Sequence, residues 1–391
     1  MIRSSADPVQ ERLEALDVVR GIALFAVLIV NLSTAFRVSI FQQFLDVDPQ
    51  GSHLDRLLAH MVSAALEMKA FALFSLLFGV GLAIQFDRLA LRGRPLLWLV
   101  RRLLALLAFG LIHLLFIWNG DILTEYAIVG LLVLPLLYLP TRLLFVAALI
   151  SLIIYVAHSS MPWSIQWPST MLLAQHISLA NEVYSTASYA EIVQFGQSEL
   201  PLLLPLHLYV LPRTISLFLF GMFLWRTGLF TRPAKFLVRL RIVAALGVLG
   251  GTAIMVTAEV QRLSEWLMHI AQILLTFGYG ATILVLMEYS VPRNLLKVLA
   301  PLGRMAFTNY LIQSLICSFI FFGYGFGQFG HMAVAPALAL AVAIYLIQVA
   351  WSRYWLRDYQ FGPLEWLWRT LMYGKMQPMR NLEGPNQRPR R

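Results

Sequence analysis

The stretch "FIWNGDILTEYAIVG", residues 116–130, lies between two long apolar runs and carries Asp121 and Glu125 four residues apart, with Gly120 just ahead of them. Apolar runs of about 20 residues are long enough to cross the hydrocarbon core of a bilayer as helix. The stretch therefore reads as the polar seam of a membrane-spanning hairpin. Outward from it the pattern repeats. The 391-residue chain is 59% hydrophobic and 13% charged, with a mean hydropathy of +0.72, whereas a soluble chain carries roughly a quarter charged residues. Spans are predicted near 21–36, 62–86, 102–118, 122–139, 142–160, 202–227, 240–258, 264–288, 305–323 and 332–352. The expected fold class is thus all-α, a polytopic transmembrane bundle of about ten spans. Two connections are long, near 37–61 and 158–200. No small-residue cleavage site follows the first apolar run, which reads as a retained span and not as a signal peptide. Cys317, the single cysteine, rules out an intrachain disulfide.

Basic residues set the expected orientation. With the N-terminus cytoplasmic, most of the 30 Lys and Arg residues fall on cytoplasmic segments, among them Arg88, Arg92, Arg94, Arg101 and Arg102, then Arg226–Arg241, then the C-terminal tail. That bias is what the positive-inside rule demands. It puts both termini inside and both long loops outside, with Asp46, Asp48 and Asp121 near the outer surface. The net charge of +10 then reflects topology and anionic lipid, and calls for no nucleic-acid partner. Residues 1–355 form the bundle in this reading. Residues 356–391 form a cytoplasmic interfacial helix and basic tail, where "YQFGPLEWLWRTLMYGK" sets Trp366 and Trp368 at headgroup depth.

Asp121 and Glu125 share a helix face, and Gly120 permits a tight turn. His113, Asn119, Asp121 and Glu125 are therefore predicted to meet in one outward-facing pocket. A carboxylate that orients a histidine builds a general base. Asp121 reads equally well as a helix cap. Glu125 lies deeper, and an ionisable group inside a membrane is a functional candidate by default. Asp17 and Arg20 have ion-pair spacing at the inner boundary, and Asn31 stands about 16 Å further along the same helix. Lys69 reads as a snorkelling side chain, and Gly79 and Gly81 as sites of close helix contact. The arginines of "DRLALRGRPLLWLVRR" satisfy the topology rule and would also bind phosphate. Asn31, Lys69, Arg213, Asn309 and Gln313 are the expected lining of a hydrated cavity, to which His207, His269 and Gln348 also point. The remaining histidines (His53, His60, His158, His176, His331) lack metal-binding spacing, so no metal is expected.

The blocks "LDVVRGIALFAVLIVN", "FSLLFGVGLAIQ", "GDILTEYAIVGLL", "GRMAFTNYLIQSLI" and "FGPLEWLWRTLMY" resemble, in order and over nearly the whole chain, those of the YeiB family of bacterial membrane proteins, labelled domain of unknown function 418. More remotely, the opening "LDVVRG" resembles the transmembrane acyltransferase superfamily, which includes the acyltransferase 3 proteins and heparan-α-glucosaminide N-acetyltransferase. That resemblance implies a bacterial inner-membrane enzyme. It would take acyl-CoA, such as acetyl-CoA, from the cytoplasm and acylate a hydroxyl or amine on a small-molecule or glycan acceptor outside. It also implies a CoA site at Asp17, Arg20, Arg88, Arg92, Arg101 and Arg102. The acyltransferase 3 histidine is replaced here by Asn31, which cannot act as a base. The base then falls to His60, which lies near the heparan-type position, to His113, or to a group assisted by Asp121 and Glu125. The alternative is a small-solute transporter coupled through Glu125 and Asp121. The faint likeness of residues 77–86 to 219–228 does not decide between them.

Overall fold

The computed structural model describes residues 8–45, 51–91, 93–158, 165–261 and 265–380. Asp46, Asp48, Arg92 and the tail beyond residue 380 lie outside the described residues. Within them the chain is helical and contains no strand. α1 (Pro8–Asn31) runs into a π-helical turn (Leu32–Phe36), and α2 (His53–Ala65) precedes α3 (Lys69–Ala90). α4 (Pro95–Phe116) and α5 (Leu123–Val133) form the hairpin around the polar seam, and α6 (Thr141–Ala157) follows. α7 (Thr170–Thr186) and α8 (Tyr189–Ser198) fill the second long connection ahead of α9 (Leu200–Arg226). Next come α10 (Pro233–Ala245), α11 (Gly251–Gln261), α12 (Glu265–Met287), α13 (Ser290–Leu296) and α14 (Ala300–Arg304). α15 (Ala306–Phe321), α16 (Val334–Asp358) and α17 (Pro363–Tyr373) are the last helices among the described residues.

Among the described residues, seven helical segments are long and apolar enough to cross a membrane, and three shorter apolar helices (Leu123–Tyr138, Thr141–Ala157, Ala306–Phe321) occupy the other positions where spans were expected. Local chemistry sets several boundaries. Ser52 and Asp55 form a capping box at α2, and Ser188 and Glu191 form another at α8. Proline opens α4, α10 and α17 at the first helical turn. Met68 adopts φ +63°, so the span expected over 62–86 breaks there and restarts at Lys69. Neither long connection is an open loop: one holds α2, the other α7 and α8.

Two helix-end surfaces follow from the alternation. One gathers the start of α1, the α3–α4 and α9–α10 turns, α13, α14 and α17. It is tied together by Lys297 to Glu14 at 3.4 Å, Trp225 Nε1 to Asp87 at 2.7 Å and Trp368 Nε1 to the Arg102 carbonyl at 2.7 Å. We call this the basic face. The opposite face gathers α2, α7, α8 and the turns before α5 and α16, and there the Ala335 N–H donates to Asp55 at 2.9 Å. Between them α9 packs along α3 on one side and α6 on the other, while α1 lies against α3 and α14. Two side chains depart from expectation. Lys69 does not snorkel: it is buried and its Nζ donates to the Ser63 carbonyl at 3.0 Å. Trp368 is buried beneath Arg102 instead of lying open at headgroup depth.

Candidate functional site

At the end of α4 the chain turns through residues 117–122 and re-enters as α5. A side chain at Gly120 would sit 2.3 Å from the Trp118 ring, so only glycine lets the indole fold over the turn. This brings His113, on the last turns of α4, to Asp121 just ahead of α5. The His113 Nδ1 to Asp121 Oδ1 distance is 2.8 Å and both side chains are fully buried. The other carboxylate oxygen accepts from the Thr124 N–H at 2.6 Å. Asp121 therefore caps α5 and orients the imidazole at once, one oxygen for each task. With Nδ1–H donating to the carboxylate, the neutral ring carries its lone pair on Nε2. That nitrogen is buried and has no hydrogen-bond partner. The ring faces Tyr310 (centroids 5.4 Å apart) and Trp118 (6.2 Å).

The other two members of the expected pocket go elsewhere. Asn119 donates from Nδ2 to Glu199 at 2.5 Å, and Glu199 also accepts from the Tyr184 hydroxyl and meets His176 Nε2 at 2.6 Å. Burial beside the Glu199 carboxylate pushes the Tyr184 hydroxyl well above the usual phenol range. Glu125 accepts from Thr214 Oγ1 at 2.6 Å and meets His207 Nδ1 at 3.2 Å, both on α9. The single predicted pocket thus resolves into three polar clusters. Next to Thr214, Arg213 is buried, with Nε and Nη1 lacking hydrogen-bond partners and its guanidinium 5.7 Å from the Tyr155 ring centroid.

A cavity of about 300 Å³ runs through the bundle from the basic face to Tyr310; His113 does not line it but lies behind that ring, centroids 5.4 Å apart. Arg20, Arg102, Arg304 and Arg369 line one end, with Glu365; Ile122, Leu123, Tyr126 and Tyr310 line the other. Phe71 and Gln85 of α3 both border it, and fourteen residues of helix rise about 21 Å. Leu24, Phe74, Phe78 and Leu106 make the middle apolar. Arg20 pairs with Asp17 at 2.9 Å, and the Arg102 guanidinium lies 3.4 Å from the Trp368 ring centroid. Glu365 accepts from the N–H groups of Phe307 and Thr308 at 2.9 and 3.0 Å, capping α15 from another helix. Its burial outweighs these donors and raises its carboxyl above the ordinary glutamate value.

Of the predicted phosphate-binding set, Arg20 and Arg102 line this cavity, and Asp17 stands behind Arg20 as its ion-pair partner outside the lining. Arg88 is exposed outside the lining, and Arg101 turns to Trp98 and the Leu371 carbonyl. Arg304, Arg369 and Glu365 were not singled out from sequence. Their available signal was the four-residue spacing of Glu365 and Arg369, which puts both on one face of α17. His176 and Glu199 were also missed, because their pairing spans two helices. His60 is exposed on α2, which packs on α1 and α16 and not on α4. Asn31 and Lys69 are buried outside the cavity lining. Asn309 and Gln313 also leave the lining. Asn309 Nδ2 donates to Ser352 Oγ at 2.9 Å and Gln313 Nε2 to Gln348 Oε1 at 2.7 Å, so they knit α15 to α16.

Comparison with known proteins gives a consistent result. The profile described as "Protein of unknown function (DUF418)" matches residues 224–375. The chain is 31% identical to uncharacterized protein YxaH of Bacillus subtilis, over 94% of this chain and 96% of the relative. It is 28% identical to an uncharacterized 39.9 kDa protein in amylase 3′ region of Bacillus acidopullulyticus, over 95% and 98%. It is 29% identical to uncharacterized protein YeiB of Escherichia coli, over 92% and 96%. No solved structure matches it.

Proposed function

The chain belongs to the bacterial family described as protein of unknown function (DUF418), and from that premise we propose that it is an acyltransferase embedded in the bacterial inner membrane, with its basic face in the cytoplasm. It takes an acyl group from acyl-CoA and passes it to a hydroxyl or amine on the other side. One observation carries this reading: a cavity with four arginines at one end reaches Tyr310 at the other, and behind that ring stands a buried, carboxylate-held histidine whose second nitrogen has no partner.

The residues fit a phosphate-bearing amphiphile. Arg20, Arg102, Arg304 and Arg369 would hold the phosphates, since guanidinium groups meet phosphate oxygens bidentately. The apolar middle suits an extended thioester arm. At the far end His113 Nε2 takes the proton of the acceptor as the acceptor lone pair attacks the thioester carbonyl carbon. The C–S bond then breaks, and Nε2 returns the proton to the departing sulfur. Asp121 keeps Nδ1 protonated and stabilises the imidazolium formed in between. Glu365 and Asp17 place negative charge among the arginines and limit repulsion while the cavity is empty.

The small-solute transporter is the second reading, and it rests on Glu125, held inside the bundle by Thr214 and His207 beside buried Arg213. Calorimetric titration of CoA and acetyl-CoA into the detergent-purified protein separates the two. The acyltransferase binds in the micromolar range and loses binding at least tenfold in Arg20→Ala and Arg102→Ala. A flat titration up to millimolar CoA removes it in favour of the transporter.

A further inference from the structure

A second cavity, of about 310 Å³, opens beside α10 in the half of the bundle nearer the basic face. It shares one wall residue, Leu77, with the first cavity, and none of the arginines or the histidine placed in the chemistry above. Leu77, Phe223, Phe236, Leu240, Phe277 and Leu284 form much of its wall, and the whole lining is apolar apart from Thr227 and Arg239. An apolar void of this kind stays dry and takes apolar groups. Its outer wall is α10, which with α11 forms one apolar membrane-length segment. Val238 and Ile242 on that wall, and Leu246 just past its end, are more than half exposed, an apolar face suited to hydrocarbon chains.

The rim is polar and of one sign. Arg239 borders the cavity, with its guanidinium 5.8 Å from the Phe236 ring centroid. Lys235 lies one helical turn earlier and Arg232 stands just ahead of the helix start, and all three are exposed. An apolar chamber open to lipid beneath a cationic rim is complementary to one class of molecule. We propose that this cavity holds an acyl chain of an anionic phospholipid from the leaflet at the basic face, with its phosphate on Arg239 and Lys235. Charge selects the headgroup, since basic side chains at membrane depth attract anionic lipid and guanidinium pairs with phosphate. Shape holds the chain. Gly280 supplies part of the room: a Cβ there would meet Leu73 Cδ1 at 3.4 Å, an ordinary contact. A longer side chain at Gly280 therefore enters the void without displacing backbone.

Native mass spectrometry of the protein purified in mild detergent tests the proposal, beside Gly280→Leu and the double variant Arg239→Gln/Lys235→Gln. The wild type is expected to retain one anionic phospholipid per chain, Gly280→Leu to lose it, and the double variant to lose the headgroup preference. A thermal-shift titration of delipidated wild type keeps the test independent of whether the variants fold. Phosphatidylglycerol should stabilise at concentrations at least tenfold below those needed for phosphatidylcholine. Equal potency of the two lipids, or equal lipid retention by folded Gly280→Leu, overturns the site.

Discussion

Asp121 carries two tasks on two oxygens, and a single substitution separates them. In Asp121→Asn the side-chain oxygen still accepts from the Thr124 N–H, so α5 keeps its cap. The amide nitrogen then faces His113 Nδ1 and, being a donor, forces the proton to the other ring nitrogen. A histidine protonated on Nε2 cannot deprotonate an acceptor. Asp121→Asn should therefore lower acyl transfer by about a hundredfold or more while its melting temperature stays near that of wild type. A large loss of stability with little loss of turnover would make the cap the residue's main task. Glu365 offers a second residue-scale prediction. Its folded-state carboxyl titrates above the ordinary value because it is buried, so the native state holds its proton more tightly than the unfolded chain does. Stability from this group is present at low pH and is lost as pH rises through the raised folded value. Glu365→Gln has no proton to lose. Its melting temperature relative to wild type should climb as pH is taken from acidic to neutral, and parallel pH profiles would contradict the assignment.

At the scale of elements, the α3–α9 contact holds the cavity wall in place. A Cβ on Gly79 would fall 2.1 Å from the Phe218 carbonyl oxygen of α9, a backbone atom that cannot step aside. Two residues on, a Cβ at Gly81 meets only Arg20 Nη2, at 3.7 Å. The two glycines look alike in "FGVGLAIQ", yet Gly79→Ala must push two helices apart and Gly81→Ala need move nothing. Overpacking of this kind costs about 1–3 kcal/mol. Gly79→Ala should melt clearly below wild type in detergent and Gly81→Ala close to it. Equal melting temperatures would show that α9 can slide without penalty. The polar network of Asn309, Gln313, Gln348 and Ser352 belongs to this scale too. Side chains read from sequence as cavity lining serve instead to join α15 to α16, a common use of amides between helices in lipid.

Over the whole molecule, what could be read in the sequence was whatever local spacing determines. The apolar runs gave the helices, the basic bias separated the two faces, and "NGD" with His113 eight residues before Asp121 gave the hairpin pair. Arg20 and Arg102 were named for a phosphate site and do border the cavity. What stayed hidden depends on which helix faces meet across long separations. Asn119 is drawn away by Glu199, eighty residues on, and Glu125 by His207 and Thr214 on α9. Arg304, Glu365 and Arg369 join the cavity only because α17 folds back beneath α4, which periodicity does not encode. Met68 at φ +63° interrupts the expected span at a point with no proline or glycine nearby to announce a break. The proposed function depends on acyl transfer from the basic face to the opposite one. Inside-out membrane vesicles from cells producing the protein, given labelled acetyl-CoA outside, test it most directly. Labelled product is expected on the lumenal side, released only by detergent, and none above background with His113→Gln. Equal labelling by His113→Gln, or equal labelling when acetyl-CoA is sealed in the lumen instead, would contradict it.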